Sequence, residues 1–492
     1  MRVRRRRRRR GQARARDETR RRRDHGAPEL TASTSSPAAR LRRDLGTLES
    51  YAALVGILIG AGIFKVTSES WALTGPSVIL AQALLLLPIL ATSVGYSVFL
   101  STPLGTEPGG EYTHISRTLG GRGVAFVGAW LKIISYLGAL AFLALGFADY
   151  VAELLPADAR GASVRTAVAL GALVLFFCVH AAGVRWFGRL QVAMVALLGF
   201  SVAVLVVPGL FAIHPAHYRP FFTHGASGFA AALPPLFFLY AGFESLAQTA
   251  GEVRDSRRRL PGIFLRGLVA TALVYVLMSA VAFGVLPGER LQASPAPMAE
   301  VGAQYLHAAA AAFVTLGAVM ALATSLNATM LVPSRMALVL VRDGLAPAWI
   351  GTISDRTGTP VLGLAVTLGV AMALVLSGQV SLALSIAVFA LVALYLLHSV
   401  ALLLLPRWNP ALFALVEAPI PLWVQRLAGV VSIVSMAGLL ALQLRADVAL
   451  LKTTTLRERA ATHRLTTIEL AGAWAVLGLA LYGAARRRQP GA

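Results

Sequence analysis

In this sequence the groups best placed to do chemistry belong to the main chain. The stretch "GILIGAGIFKV", residues 56–66, packs Gly56, Gly60 and Gly62 into seven residues and follows them with Lys65. Glycine weakens a helix by about 1 kcal/mol per site relative to alanine. A helix interrupted there frees backbone groups. N–H groups at the start of a half-helix, with its positive dipole end, suit a carboxylate. A second stretch, "AALPPLFFLYAGFESLAQTAGEV" (231–253), carries Pro234, Pro235, Gly242 and the acid Glu244. Carbonyls where its first half ends, near Tyr240 and Ala241, suit an ammonium group. One zwitterion, an amino acid or a related amine, could satisfy both ends. The competing reading of Gly56-x-x-x-Gly60 is close helix packing between small residues; the matching interruption in the second stretch favours binding.

The elements that carry these groups are membrane spans. The chain is 57% hydrophobic and 14% charged, with a mean hydropathy of +0.69, far from soluble usage. Apolar runs of about 20 residues, the length that crosses a bilayer, recur at 51–70, 78–101, 124–152, 166–182, 190–213, 227–251, 263–286, 306–334, 360–377, 381–405, 423–443 and 467–485. The expected fold is an all-α membrane protein of about twelve transmembrane helices. The two interrupted spans are the first and the sixth. Five is odd, so a second copy of a five-helix unit enters the membrane upside down, which predicts a five-plus-five inverted repeat with its weak points facing near the midplane. The expected organisation is a disordered Arg-rich tail (1–45), a first five-helix repeat (46–215), an inverted second repeat (216–406), and two additional helices with a basic tail (407–492).

The net charge of +22 does not imply nucleic acid, because residues 1–50 hold 17 Arg against 6 Asp and Glu, half of the excess. That tail reads as a solvated cytoplasmic segment, with attraction to anionic lipid headgroups as the alternative. No cleavable signal peptide precedes the first span, and the single Cys178 allows no intrachain disulfide. Thirteen arginines, Arg117, Arg257 and Arg335 among them, fall in loops on the side of the N-terminus, against four in opposite loops before residue 440. Both termini are therefore expected in the cytoplasm of a cell-membrane protein. Loop 444–465, with Arg445, Lys452, Arg457, Arg459 and Arg464, runs against that rule.

Other ionisable residues each have a plain and a functional reading. Lys65, about 7 Å outward of Gly60 by helix rise, pairs with Glu69 or snorkels to the interface, or else responds to protons or substrate charge. Lys132, roughly 12 Å into the third span, is a functional candidate because intramembrane charges are costly. Glu244 should face the interior, protonated or hydrogen-bonded. Asn327, Thr324 and Ser325 read as interhelical hydrogen-bonding groups or as ligands of substrate or a cation, and His180 as interfacial. No Ser-His-Asp order, metal-ligand cluster or phosphate loop is visible, so neither catalysis nor a cofactor or metal is expected.

At the interrupted spans the sequence resembles the amino acid-polyamine-organocation transporter superfamily, particularly its bacterial amino acid permeases. "IGAGIF" (59–64) is similar to their first-helix motif, "PGGEYTHISRTLGG" (108–121) to their stretch between spans 2 and 3, "FFLYAGFESLAQTAGEV" (237–253) to their sixth helix, and "NATMLVPSRMALVLVRDGLAP" (327–347) to the end of their eighth. The resemblance runs from about residue 45 to 440. It implies alternating access, with substrate held between spans 1, 3, 6 and 8. The implied substrate-binding residues are Ile59, Gly60, Ala61, Gly62, Ser135, Phe238, Tyr240, Ala241 and Gly242, with Ala139 also near. Phe238 would close over the substrate from outside. Glu244 would serve gating or coupling, for which Lys65 and Lys132 are the further candidates. Ala61 stands where the family usually has serine, and span 5 has no lysine where several proton-coupled relatives carry one; Leu198 lies near that place. The expected activity is transport of an amino acid or related amine by proton symport or exchange. A non-transporting sensor of the same fold is the alternative, and a channel is a weaker third.

Overall fold

The first apolar stretch winds as helix α1, Thr47–Leu58, and stops. Ile59 N still donates to Val55 O at 2.8 Å, whereas Gly60 N turns back to Leu58 O. The chain resumes as one wide turn, Gly62–Val66, and continues as α2, Thr67–Thr74. The computed structural model describes residues 41–487 apart from 61, 157–159, 295, 379 and 462–465. The basic tail expected over 1–45 lies outside the described residues as far as residue 40.

Five helices follow in the first half: α3 (Val78–Leu100), the short α4 (Gly110–Leu119), α5 (Arg122–Glu153), α6 (Ala162–Ala181) and α7 (Val184–Gly209). The second half begins with α8 (Gly225–Phe237), which ends in a tight turn, Phe238–Tyr240. Ala241 is extended, Gly242 has φ +102°, and a single helical turn, Ser245–Gln248, resumes the path. A side chain at Gly242 would be strained in that left-handed region. Then come α9 (Ser256–Val285), α10 (Ala308–Arg342), α11 (Val361–Ser377), α12 (Val380–Trp408), α13 (Leu422–Thr453) and α14 (Thr467–Arg487). Among the described residues ten segments are long and apolar enough to cross a bilayer, and α1 and α11 are shorter apolar helices. Together they fall on the twelve stretches read from hydropathy, and the protein is an all-α, multi-pass membrane protein.

Unwinding inside hydrocarbon leaves carbonyls that must find donors. The last carbonyls of α1 find them on neighbouring helices. Ser325 Oγ of α10 lies 3.0 Å from both Gly56 O and Ile57 O. Tyr275 Oη of α9 lies 2.5 Å from Leu58 O and 2.7 Å from Leu239 O, so one hydroxyl joins the two interruptions. Gly60 permits this approach, since a Cβ there would sit 2.0 Å from Ser325 Oγ.

The end of the bundle where the described chain begins, here the near face, is sealed by polar contacts. Leu45 pairs with the segment after the second interruption: Leu45 N donates to Glu252 O at 3.0 Å, and Arg254 N donates to Leu45 O at 2.9 Å. Glu252 and Arg335 form a buried two-pronged ion pair, Nη2 to Oε1 at 2.8 Å and Nε to Oε2 at 3.2 Å. Arg335, which in sequence counts as one more positive loop residue, is 1% exposed at the end of α10. Asp343 accepts from Tyr112 Oη at 2.6 Å and stands 3.6 Å from Arg117.

Removing one partner of a buried ion pair costs about 3–5 kcal/mol, whereas replacing both by apolar groups is often neutral. Arg335→Met should therefore lower the thermal unfolding midpoint of the detergent-solubilised protein markedly. Arg335→Met combined with Glu252→Leu should recover most of the loss, as differential scanning fluorimetry can check.

Candidate functional site

The two interruptions face one another across a cavity of about 40 Å3. At roughly 10–15 Å3 per water-sized sphere, that holds about three waters. A cavity of that volume is smaller than an amino acid. Main chain supplies much of one side, from Gly60, Gly62, Ala241 and Gly242. Helix α5 contributes Ser135, Tyr136, Ala139 and Leu143, α10 contributes Ser325 and Thr329, and α12 contributes Ala387 and Leu391. Among the described lining residues none carries an ionisable acid or a lysine or arginine, so the cavity's own walls are neutral.

Of the residues singled out from sequence, Gly60, Gly62, Ser135, Phe238, Ala241 and Gly242 come together here, as does Ala139. Phe238 meets Phe142 edge to face, with ring centroids 6.1 Å apart. Ser135 Oγ donates to Ala387 O at 3.1 Å, which ties α5 to α12 beside the cavity. Ile59 is buried among core residues next to the lining. Tyr240 points its hydroxyl away, donating to Gln82 O of α3 at 3.0 Å. Ala61 lies outside the described residues. Lys65 belongs to the turn Gly62–Val66 by its backbone, and its side chain is outside what the structure describes.

Glu244 is fully buried and bonded to two residues of the cavity wall, Tyr136 and Gly242. Its Oε1 receives the Tyr136 hydroxyl at 2.6 Å, and its Oε2 receives Gly242 N at 3.0 Å together with the Tyr395 hydroxyl. Lys132, also fully buried, stands 3.7 Å from Glu244 Oε1 but is bound more closely to Glu111, at 2.8 Å to Oε1 and 2.7 Å to Oε2. Glu111 further receives Gln248 Nε2 at 2.6 Å and the Tyr96 hydroxyl. Lys132 Nζ also lies 5.4 Å from the centroid of the Tyr136 ring, a cation–π distance.

Glu111 is the functional candidate that the sequence did not single out. It lies within "PGGEYTHISRTLGG", between two spans, where an acid reads as an ordinary loop residue. Helix α4 instead tucks under α5 and α12, and Glu111 has no exposed surface. The second unforeseen group is Gln191 of α7. Its Nε2 lies 3.1 Å from Thr324 O and 3.3 Å from Ala52 O, and its Oε1 accepts from Asn327 Nδ2 at 2.7 Å. An uncharged amide thus joins α1, α7 and α10 in the span that lacks a lysine; Leu198, seven residues on, is buried. His180 is not interfacial as expected. It is 1% exposed, and its Nε2 lies 2.8 Å from Asn327 O, because α6 packs it against α10.

Comparison with known proteins gives these features a context. The family model described as "Amino acid permease" matches residues 45–449. A branched-chain amino acid permease of Bacillus subtilis is 25% identical over 348 residues, 68% of this chain and 74% of that protein. A methylthioribose transporter of the same organism is 26% identical over the same shares. An uncharacterized transporter of Mycobacterium tuberculosis is 29% identical over 376 residues, 74% of this chain and 81% of its own.

The joint role of Tyr275 has a direct check. A buried carbonyl left without its donor costs about 1–3 kcal/mol. Tyr275→Phe, which keeps the ring and removes the hydroxyl shared by Leu58 O and Leu239 O, should lower the thermal midpoint by an amount in that range.

Proposed function

This chain belongs to the amino acid permease family of the amino acid-polyamine-organocation superfamily, and on that premise we propose that it carries a small neutral amino acid across the cell membrane by alternating access, as a proton symporter or exchanger. The observation that carries this reading is the pair of facing helix interruptions with a cavity between them. In the proposed complex the substrate carboxylate meets the amides around Ala61 and Gly62. Its ammonium meets carbonyls around Tyr240 and Ala241, and its side chain lies among Leu143, Leu391 and Phe238. Neutral walls favour a neutral side chain, because a buried charge without a partner is costly. Phe238 forms the outer lid. Glu244, with Tyr136 and Tyr395, joins the second interruption to α5 and α12 so that the three move as one when the substrate leaves.

The proposed architecture is two five-helix repeats, 46–215 and 216–406, related by inversion, with 407–492 adding two helices. The near face is assigned to the cytoplasm, as are both termini. That orientation puts the sealed ion pairs of Glu252 and Asp343 on the inner side, so this state is closed toward the cytoplasm.

Uptake of radiolabelled L-alanine and L-leucine into proteoliposomes tests the assignment, and saturable accumulation or exchange is the expected result. Hydrogen bonds to charged groups are worth about 1.5–3 kcal/mol. Gly62→Leu, which crowds the amide site, should therefore cut uptake by roughly tenfold or more while the protein still inserts into membranes. Saturable binding with neither accumulation nor exchange would instead identify a sensor.

A further inference from the structure

We propose that Glu111, Lys132 and Glu244 form a one-proton store in which the Glu111–Lys132 pair, by satisfying itself, obliges Glu244 to carry the transported proton. This rests on the permease reading and names the coupling site within it. The argument begins with a count of charge. Two carboxylates and one ammonium are enclosed with no exposed side-chain surface. The other titratable groups facing them are Tyr96 from α3, His114 from α4, Tyr136 from α5, and Tyr395 and His398 from α12. The three tyrosines are neutral hydroxyl donors. His114 is held well below the ordinary imidazole range by burial, with His398 beside it, and adds no positive charge. A separate buried pair, Glu252 with Arg335, is balanced within itself. Burial also raises the Glu111 carboxyl above its ordinary value even though Lys132 pulls it down. An unbalanced charge in such surroundings is costly, so the sealed state takes up one proton.

Donor geometry decides which oxygen holds it. Both oxygens of Glu111 face donors that cannot reverse, the Lys132 ammonium on each and the Gln248 amide on Oε2, and Oε1 also receives the Tyr96 hydroxyl, which can turn. A proton on Glu111 could be accepted by a turned Tyr96 hydroxyl, but it would leave the buried Lys132 ammonium against a neutral carboxyl, which is costly. Glu244 Oε2 faces the fixed N–H of Gly242 as well as the Tyr395 hydroxyl. Glu244 Oε1 is different. Its nearest donor is the Tyr136 hydroxyl at 2.6 Å, which can turn and accept, while Lys132 is 3.7 Å away. With the proton on Oε1, the Tyr136 hydroxyl is released to point its own hydrogen elsewhere, and Tyr136 lines the cavity. The route between store and cavity is therefore one hydroxyl long: a proton leaves Tyr136 Oη for water in the cavity as Glu244 Oε1 returns its proton to that oxygen, and uptake runs the same exchange backwards.

The count predicts a reversal that a merely structural cluster would not give. In Glu111→Gln, Lys132 is free to neutralise Glu244, so no proton is needed and transport should lose its response to a pH gradient while counterflow exchange of L-alanine or L-leucine continues. In Glu111→Gln combined with Lys132→Met, Glu244 is alone again and proton coupling should return. The assay is uptake into proteoliposomes with the membrane potential clamped to zero and an internal pH dye. One proton per substrate gives roughly tenfold accumulation per pH unit of gradient, with acidification inside on substrate entry. The wild-type reading needs no variant to fold. Exchange by the wild type with no gradient response and no dye signal overturns the proton store but leaves the permease standing, whereas absence of both uptake and exchange overturns both. A Glu111→Gln protein that accumulates substrate as the wild type does also overturns the store, and so does a double variant that exchanges but stays uncoupled.

Discussion

Hydrocarbon offers no hydrogen bonds, so every backbone group released by an interrupted helix must be met by another part of the protein or must face a polar cavity. That constraint organises this molecule. Where α1 stops at Leu58, Ser325 and Tyr275 approach from α10 and α9 to cover its last carbonyls. Where α8 gives way at Phe238–Tyr240, Tyr275 reaches Leu239 O and the Glu244 carboxylate takes the Gly242 amide. The groups that cover the interruptions come from different helices, so they also fix how those helices sit around the cavity. The small residues at the centre follow from the same need. Any Cβ at Gly60 would occupy the space that Ser325 uses, and Gly242 holds a backbone angle that other residues avoid.

Charge is treated in a similar way. Taking an arginine or lysine out of water costs several kcal/mol, repaid only by a close partner and further hydrogen bonds. Arg335 has both in Glu252 and Ser334. Lys132 has them in Glu111, with Glu244 one step away. The first arrangement is balanced and holds α10 to the segment after the second interruption. The second is one charge short, and it lies within a single hydroxyl of the cavity. A balanced pair suits a seal, and an unbalanced cluster suits a site that exchanges a proton with water when the cavity opens.

Much of this architecture was legible in the sequence because it depends on local properties. Hydropathy sets which segments can cross a bilayer, and the twelve stretches correspond to the long and short apolar helices observed. Glycine and proline placement marked both interruptions, since a weak helix is weak wherever it is packed. Six of the nine residues suggested for binding line the cavity, and Tyr240 turns its hydroxyl elsewhere because α3 offers Gln82 O as a partner. The side chains that cover the interruptions were less visible. A tyrosine or serine in an apolar helix looks the same whether it faces lipid or a stranded carbonyl.

By itself, then, the sequence determined the class of the fold, the apolar segments that form its helices and the location of the two weak points, all of which follow from composition over a few turns of chain. Only the tertiary structure decided which charges meet. Glu111 and Lys132 are 21 residues apart, and Glu111 and Gln248 are 137 apart. Arg335 reads as a loop cation until Glu252, 83 residues away, is placed against it. The physical reason is that hydrophobicity acts residue by residue through contact with the surrounding lipid, whereas the state of a buried charge depends on partners that only the packing of distant helices brings within reach.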